Sequence, residues 1–273
     1  SRYDKGDGEY YNCPLTKEQY YNFVDKIVES AEINKEDLII EIGPGLGNLT
    51  ELLLEKAGKV IAIELDQRML EILTDRFSMY KNFEIINEDV LKVDLNNLIK
   101  INKSSDIRKV KIVANLPYYI TTPIIMKLLE EKLEIETITV MVQKEVAERL
   151  IATPGDKLSG AITYCVYYYS EPQEVLTVPN TSFVPEPKVC SEVIKLNIRK
   201  EPPVVLKDEK IFFKVVKASF MQRRKTLLNG LANAGIASKE KLKEILQELN
   251  LSENVRGESL GIEQFAEIAN KLC

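Results

Sequence analysis

The sequence predicts an α/β protein, and three observations support that fold class. Short apolar runs alternate with segments of helical periodicity over roughly the first two thirds of the chain. The first of these runs leads into the glycine turn Gly43-Pro44-Gly45-Leu46-Gly47. From about residue 208 onward, the periodicity is helical only. This order predicts a Rossmann-like, doubly wound and mostly parallel sheet, followed by a smaller all-helical C-terminal domain.

The elements can be predicted in chain order from these patterns. Apolar side chains recur at helical spacing over residues 20–28, and Thr16 and Gln19 before them have the spacing of a capping box. Strands are expected at 37–42, 60–66, 83–86, 110–114 and 137–142. Helices are expected at 49–57, 67–77 and 143–151.

The remaining segments define the expected domain boundaries. Residues 161–168, 175–178 and 193–198 have strand character, and residues 199–203 have the composition of a linker. Residues 1 to about 20 are polar and rich in tyrosine. We therefore expect a lead-in (1–23), a main domain (24–199) and a helical domain (200–273).

Composition excludes several classes of chemistry. The chain of 273 residues contains no histidine, so the usual general base, the usual zinc ligand and every Ser-His or Cys-His mechanism are absent. Four scattered cysteines form no C-x-x-C pair, which indicates reduced thiols in a cytoplasmic protein without a metal site. The net charge of −5 argues against a wholly basic nucleic-acid binder but permits a local basic face. No secretory leader is evident, and no apolar run approaches the roughly 20 residues that span a bilayer, so we expect no membrane association.

Polar features fall at the C-terminal ends of four predicted strands. Residues 43–47 follow the first strand, and Glu64 lies at the C-terminal end of the second. Asp89 follows the third strand, and Asn115 follows the strand at 110–114. The carboxyl ends of parallel strands meet at one edge, where doubly wound sheets bind their ligands. Four polar features at that edge therefore predict a single binding site.

The glycine turn and Glu64 suit a nucleoside ligand. Glycines let the backbone approach a ligand beside a helix N-terminus, and an acid at the end of the second strand suits a ribose diol. Nicotinamide enzymes use the same pair, so two cofactors remain open at this point. The spacing of Gly43, Gly45 and Gly47 is G-x-G-x-G, whereas dinucleotide sites have G-x-G-x-x-G. A phosphate loop of the G-x-x-x-x-G-K-[ST] type is absent.

Asp89 favours S-adenosylmethionine over a dinucleotide. This cofactor has no phosphate, and its ribose and adenine need polar groups together with apolar cover. Asp89 can accept a hydrogen bond from the adenine amino group, with Val90 or Leu65 packed on the ring. The alternative role for Asp89 is the N-cap of a helix.

Asn115-Leu116-Pro117-Tyr118 predict a clamp for a flat ring that carries hydrogen-bonding groups. The Asn115 amide can both accept and donate. Pro117 stiffens the backbone and leaves the Leu116 carbonyl free to accept. Tyr118 offers a face for stacking. An exocyclic amino group of a base would find its hydrogen-bond acceptors in Asn115 and the Leu116 carbonyl. The alternative is an ordinary strand–loop–helix junction with a structural proline.

These residues resemble the successive motifs of the ribosomal RNA adenine N6-dimethyltransferases, which are class I S-adenosylmethionine-dependent enzymes. They are most similar to the bacterial type that dimethylates two adjacent adenosines near the 3′ end of small-subunit (16S) rRNA. The resemblance extends from about Val24 to Leu272. It is carried by E-I-G-P-G-L-G (41–47), I-E-L-D (63–66), E-D-V (88–90), N-L-P-Y (115–118), M-V-Q-K-E-V-A-E-R (141–149), F-V-P-E-P-K-V-C-S (183–191), F-M-Q-R-R-K-T-L (220–227) and R-G-E-S-L (256–260).

The resemblance implies a substrate, a partner and further site residues. The partner is small-subunit rRNA within an immature 30S particle, and the protein is expected to act as a monomer in ribosome biogenesis. Phe183, in a proline-rich loop, is expected to stack on the target base or its neighbour; the alternative is a hairpin connection. The predicted phosphate-contacting face consists of Arg223, Arg224 and Lys225 with Lys144, Arg149, Lys188, Lys214 and Lys217. The alternative is a solvated helix face.

One region departs from the family pattern, and three rival functions remain. The family opens with a basic stretch that contains Gln-Asn-Phe, whereas residues 1–23 are acidic and rich in tyrosine, so we assign them no cofactor contacts. The first rival is a large-subunit (23S) rRNA methyltransferase of the resistance type. The second is a small-subunit assembly factor without catalysis, and a nicotinamide-dependent oxidoreductase is a distant third.

Overall fold

The structure, a computed structural model, describes residues 17–116, 119–178, 190–222 and 224–273, with side chains from residue 24 onward. These residues form two compact units. The first contains the described residues up to Ala147 together with Pro172–Ile198. The second contains Glu148–Glu171 together with Arg199–Cys273. Residues 148–171, which the expected boundaries assign to the main domain, thus lie in the second unit.

The described elements alternate between helix and strand up to residue 151. The strands are β1 (Asp37–Ile42), β2 (Lys59–Glu64), β3 (Phe83–Asn87), β4 (Lys109–Asn115), β5 (Thr137–Gln143), β6 (Ser170–Val178) and β7 (Ser191–Ile198). The helices are α1 (Lys17–Ser30), α2 (Asn48–Lys56), α3 (Gln67–Arg76), α4 (Leu95–Asn102), α5 (Thr121–Glu130), α6 (Lys144–Ile151), α7 (Ala161–Tyr169), α8 (Glu209–Met221), α9 (Leu227–Asn233), α10 (Lys239–Glu248) and α11 (Ile262–Leu272). The predicted strands β1 to β5 and β7 and helices α2, α3 and α6 are confirmed to within a few residues.

In the part of the chain that the structure describes, seven strands form one sheet in the order β3-β2-β1-β4-β5-β7-β6. The pairs β1–β2, β1–β4, β2–β3 and β4–β5 are parallel, and β7 is antiparallel to β5. The strand order reverses between β1 and β4, and that crevice is where doubly wound sheets bind ligands. The predicted fold class is confirmed.

The middle of the sheet is buried on both faces. All six residues of β1 are buried, as expected for a central strand of a parallel sheet. Val28 of α1, Leu53 of α2 and Leu73 of α3 belong to one apolar cluster with Ile39 of β1. This packing fixes α2 and α3 beside the strand ends from which the glycine turn and Glu64 project.

A buried ion pair joins β1 to β4. Lys111 Nζ lies 2.9 Å from Asp37 Oδ2, and the two side chains are 4% and 0% exposed. The same ammonium donates to the backbone carbonyl of Glu32 at 2.6 Å, and the Glu32 carboxylate accepts a hydrogen bond from Lys195 of β7. Removal of either partner would leave a buried charge uncompensated. The pair therefore stabilises the contact between β1 and β4.

The second unit is helical, and it corrects one prediction. Residues 161–168 have strand character in sequence, but Ala161–Tyr169 form the helix α7. The error arises because β-branched and aromatic residues fill a helix that is buried nearly all round, so the periodicity of its apolar residues disappears. The Tyr164 hydroxyl donates to the Leu260 carbonyl at 2.6 Å, and its ring lies against Phe265 of α11. Packing in this core therefore decides the conformation of α7 over local propensity.

Several expected properties can be compared with the described residues. None of the described helices combines the length and apolar character that a membrane crossing requires. No group of three or more acidic or cysteine side chains suited to a metal ion occurs among the described residues. Cys165, Cys190 and Cys273 form no disulfide. The capping box at Thr16 and Gln19 lies outside the residues whose side chains are described, and helix α4 was not predicted.

Candidate active site at the carboxyl edge of the sheet

A cleft of about 250 Å³ opens at the carboxyl ends of the parallel strands. Its floor and walls come from the residues that follow β1, β2 and β3 and from the start of α5. The lining residues are Ile42, Gly43, Ile63, Glu64, Leu65, Asp66, Glu88, Asp89, Val90, Tyr119, Ile120 and Ile124. Ligand pockets for whole drug-sized molecules measure roughly 300–1,000 Å³, so this cleft suits one nucleoside-sized part of a larger ligand.

The glycine turn brings the ends of β1 and β4 together. Gly43, Gly45 and Gly47 all have left-handed backbone conformations, with φ of 70°, 57° and 85°. Because Ile42 pairs with Ala114, Gly43 lies beside Asn115, and a Cβ on Gly43 would approach the Asn115 carbonyl oxygen to 2.9 Å. Only glycine allows this close approach. The feature predicted after the first strand is therefore adjacent to the predicted catalytic asparagine.

Gly45 and Gly47 have different surroundings. A Cβ on Gly45 would meet no atom within 4 Å, so this part of the turn borders open space. A Cβ on Gly47 would lie 2.5 Å from the Phe77 ring and 2.7 Å from Leu73. Gly47 thus allows α3 to pack against the turn, whereas Gly45 leaves room for a ligand. A direct cofactor contact of Gly47 stays a prediction.

Glu64 is held at the cleft by its neighbours on β2 and β3. One of its carboxylate oxygens accepts from the Asp66 backbone N–H at 2.9 Å, and Asp66 in turn caps the N-terminus of α3. The Asn87 side-chain amide donates to the Glu64 carbonyl at 2.8 Å. A carboxylate offers about four acceptor positions, so Glu64 keeps acceptor capacity for a diol.

Asp89 lies in the same cleft as Glu64, together with Leu65 and Val90. Its Oδ1 accepts from the Leu91 backbone N–H at 3.0 Å, which is the geometry of an Asx turn. The following helix, α4, is capped by Asp94, so Asp89 does not serve as its N-cap. Leu65 is 64% exposed, and Val90 is 6% exposed. The cleft therefore offers a carboxylate beside apolar surface that a flat ring can cover.

The charge of the cleft distinguishes between classes of ligand. Glu64, Asp66, Glu88 and Asp89 line it, whereas no lysine or arginine does so among the described lining residues. A pyrophosphate would meet uncompensated repulsion here, since dinucleotide sites rely on donors and positive potential. A cation with hydroxyl and amino donors is complementary to this surface.

A further carboxylate lies behind the glycine turn. Glu41 of β1 is 1% exposed, and its Oε2 accepts from Thr50 Oγ1 at 2.7 Å. Burial raises the pKa of Glu41 to about 8; the Thr50 hydrogen bond opposes this rise, and the charge of Glu64 adds to it. At neutral pH the folded protein therefore holds Glu41 mostly protonated.

The predicted target-base clamp is described in part. Asn115 ends β4 with an exposed side chain, and Leu116 behind it is 2% exposed. Pro117 and Tyr118 lie outside the described residues. Sequence reasoning missed Tyr119, which lines the cleft although it is 83% exposed. An aromatic residue directly after the clamp was the signal that could have identified it.

The predicted RNA-contacting residues are exposed where they are described. Arg224 and Lys225 follow α8, and Lys214 and Lys217 lie on that helix, all with exposed side chains. Lys144 and Arg149 of α6 are also exposed. Phe183, Lys188 and Arg223 lie outside the described residues. A basic surface at the end of α8 is consistent with the predicted role of Arg224 and Lys225.

Comparison with known proteins identifies the family. A family model described as ribosomal RNA adenine dimethylase matches residues 18–272. The chain belongs to the ribosomal RNA adenine dimethylase family. Among relatives of this family, a protein of Geobacillus sp. (strain WCH70) named ribosomal RNA small subunit methyltransferase A is 50% identical over 254 residues, covering 92% of this chain and 87% of that protein.

Solved structures of related enzymes have the same fold. The crystal structure of a dimethyladenosine transferase from Plasmodium falciparum matches with a TM-score of 0.74 at 28% identity, covering 90% of this chain and 94% of that one. The 23S rRNA methyltransferase ErmE matches with a TM-score of 0.66 at 24% identity, covering 92% of this chain and 97% of that one. The second likeness extends to the fold alone.

Proposed function

We propose that this adenine dimethylase uses S-adenosylmethionine to dimethylate N6 of two adjacent adenosines near the 3′ end of small-subunit rRNA. The observation that carries the proposal is the acidic cleft that contains Gly43, Glu64 and Asp89 beside Asn115. The relatives named small subunit methyltransferase A support the choice of RNA. The protein would act on immature small subunits in the cytoplasm and so take part in ribosome biogenesis.

The residues of the cleft suit S-adenosylmethionine in both shape and charge. Glu64 would accept from the ribose hydroxyls, and Asp89 from the adenine amino group, with Leu65 and Val90 covering the ring. The open space at Gly45 gives the backbone room to approach the ligand. When bound, S-adenosylmethionine supplies a methyl group that its sulfonium already activates. The protein's task is therefore alignment more than activation.

The target amine is the group that needs help from the protein. The lone pair of an adenine amino group is delocalised into the ring, which makes it a poor nucleophile. Asn115 Oδ1 and the Leu116 carbonyl would accept its two N–H groups and favour a tetrahedral nitrogen. The base must leave its stack to reach this edge, and Tyr118 and Phe183 would stack on it there. Hydrogen-bond acceptors and correct positioning suffice for this transfer, so no strong general base is needed. This agrees with the absence of histidine from the chain.

Methyl transfer to undermethylated small subunits tests this function directly. Tritiated S-adenosylmethionine should label small-subunit rRNA, and primer extension should stop at two adjacent adenosines. Asn115→Ala should abolish labelling while S-adenosylhomocysteine still binds, because Asn115 contacts the acceptor. Asn97→Ala, an exposed asparagine on α4, is the control and should keep wild-type activity.

Two outcomes separate this proposal from its RNA-binding rivals, and a third tests the clamp. Labelling of large-subunit rRNA alone would replace it with the resistance-type activity. Binding to immature subunits without labelling of either RNA would favour an assembly factor. Wild-type turnover by the Asn115→Ala variant would refute the clamp.

The RNA-contacting role of Arg223, Arg224 and Lys225 has a separate test. Each phosphate contact that is lost should lower the dependence of log K on log salt by about one unit, so a double Arg223→Gln, Arg224→Gln variant should lower the slope by about two. The control pair is Lys239→Gln, Lys241→Gln, two exposed lysines of α10. An unchanged slope in the arginine variant would remove these residues from the RNA-binding face.

A further inference from the structure

One arginine of α3 contacts both the glycine turn and the start of α2. Arg76 Nη1 donates to the Leu46 carbonyl at 2.6 Å and to Asn48 Oδ1 at 2.9 Å. Its Nη2 lies 2.7 Å from the Glu51 carboxylate. One guanidinium thus links a carbonyl inside the turn, the first residue of α2 and the first turn of that helix.

The arginine is itself held in place. Its guanidinium carbon lies 5.2 Å from the centre of the Phe77 ring, and that ring fills the space beside Gly47 that a Cβ would occupy. The Arg76 side chain is 32% exposed, so the contact is shielded in part from solvent. Arginine is suited to this position because its planar donor groups reach three acceptors at once.

Other contacts restrain the two ends of the turn: the Gly43 N–H donates to the Ile63 carbonyl at 3.1 Å, and Phe77 packs beside Gly47. Residues 43–47 contain three left-handed glycines, which lose more conformational freedom on ordering than other residues do. Gly47 is the N-cap of α2, and no side chain caps that helix end. The Gly47 N–H donates to the Pro44 carbonyl within the turn, and Arg76 donates to the Leu46 carbonyl from another element.

We propose that Arg76 is a positioning residue that preorganises the glycine turn for the methyl donor. This inference rests on the proposed function, since the donor is taken to be S-adenosylmethionine at the cleft. Arg76 is not among the lining residues of the cleft. It acts through the backbone of Leu46 and the start of α2, and without it the turn must be ordered when the cofactor binds.

Binding of S-adenosylhomocysteine measured by titration calorimetry tests the proposal without RNA. Arg76→Gln removes both the charge and the planar set of guanidinium donors. We expect the Kd for S-adenosylhomocysteine to rise about ten-fold, the effect typical of one charge-assisted hydrogen bond. Arg76→Lys keeps the charge but cannot reach all three acceptors, so its Kd should lie between those of the wild type and Arg76→Gln. Arg108→Gln is the matched control, because Arg108 also makes a surface ion pair, with Glu36, and does not contact the turn.

Kinetics distinguish positioning from general stabilisation. In the methyl-transfer assay, Arg76→Gln should raise KM for S-adenosylmethionine about ten-fold and change kcat less than about two-fold, since the interaction contributes to binding donor and transition state alike. Hydrogen exchange should increase at residues 45–49 and not at residues 108–115. Should Arg76→Gln fold poorly, Glu51→Gln, which removes one partner of the arginine, should give a smaller rise in Kd.

The results decide between this inference and the proposed function. Wild-type affinity in both Arg76→Gln and Glu51→Gln would overturn the positioning role. The positioning role would also be overturned if the Kd of Arg76→Lys were as high as that of Arg76→Gln. If the wild-type chain binds S-adenosylhomocysteine but methylates no RNA, the proposed function fails while the role of Arg76 can still be measured.

Discussion

Alanine substitutions in the glycine turn should separate backbone strain from ligand contact. Gly45 and Gly47 both have left-handed backbones, but a Cβ on Gly45 would meet open space, whereas a Cβ on Gly47 would meet the Phe77 ring and the Leu73 side chain. Gly45→Ala should therefore affect cofactor binding more than stability. Gly47→Ala should have the reverse effect. Gly235→Ala is the control, because Gly235 has a φ of 68° with nothing within 4 Å of its Cβ position and lies in the second unit.

The magnitudes follow from the contacts. A left-handed alanine costs about 1–2 kcal/mol of folding free energy, and this is the only cost at Gly45 and Gly235. At Gly47 the new methyl group would also lie 2.5 Å from the Phe77 ring, and overpacking adds about 1–3 kcal/mol. Each kcal/mol lowers Tm by roughly 2–4 °C in a protein of this size, so Gly47→Ala should lose about 4–20 °C and the other two about 2–8 °C.

Two measurements check these expectations. Thermal unfolding gives the order of stability, and titration with S-adenosylhomocysteine gives the affinity. Gly45→Ala should bind the ligand at least about ten-fold more weakly, because in the proposed complex its methyl group would occupy the open space through which the ligand approaches, whereas Gly235→Ala should bind normally. Normal binding by Gly45→Ala would remove Gly45 from the cofactor site. A Gly47→Ala variant as stable as Gly45→Ala would show that Phe77 and Leu73 give way freely.

Three further predictions concern stability. Lys111→Met should lower the free energy of unfolding by about 3–5 kcal/mol in denaturant titration, because it leaves the buried Asp37 carboxylate without its counter-charge. The double variant Lys111→Met, Asp37→Leu should recover most of this loss. An equal loss in the single and the double variant would contradict the prediction. Because the Glu41 pKa rises from 4.5 to about 8 on folding, stability should fall as pH rises through this window, and Glu41→Gln should flatten the Tm profile between pH 5 and 8.5. Tyr164→Phe should cost about 1–3 kcal/mol because it leaves the buried Leu260 carbonyl without its donor, and an unchanged Tm would argue against that bond.

The strand ends were predictable, and the reason is geometric. A short apolar run indicates each parallel strand. The topology of the sheet then places the polar residue at the end of that strand at the ligand-binding edge. Gly43, Glu64 and Asp89 were brought together in one cleft in this way. The closeness of Gly43 to Asn115 follows from the same rule, because β1 and β4 are neighbours at the switch point.

The contacts that hold those residues were not predictable. The Asp66 N–H that orients Glu64 and the arginine that holds the glycine turn depend on where α3 packs, and no periodicity encodes that. Helix α7 was missed for a related reason, since a helix buried on nearly all sides has no polar face to indicate its period. Sequence patterns predict which edge of the sheet is functional, whereas tertiary packing sets the geometry there.

The choice of RNA must be made outside the cleft. In the proposed complex, the cleft and clamp would contact one nucleoside of the donor and one base of the acceptor, so their residues cannot by themselves distinguish one ribosomal RNA from another. The relative that is 50% identical matches over 92% of the chain, which includes most of the helical unit and its basic residues after α8. Substitution of Arg224 and Lys225 should therefore weaken binding of small-subunit RNA without altering the Kd for S-adenosylhomocysteine, whereas substitution of Glu64 or Asp89 should do the opposite. Equal effects of both sets on both measurements would mean that donor binding and RNA selection share one surface.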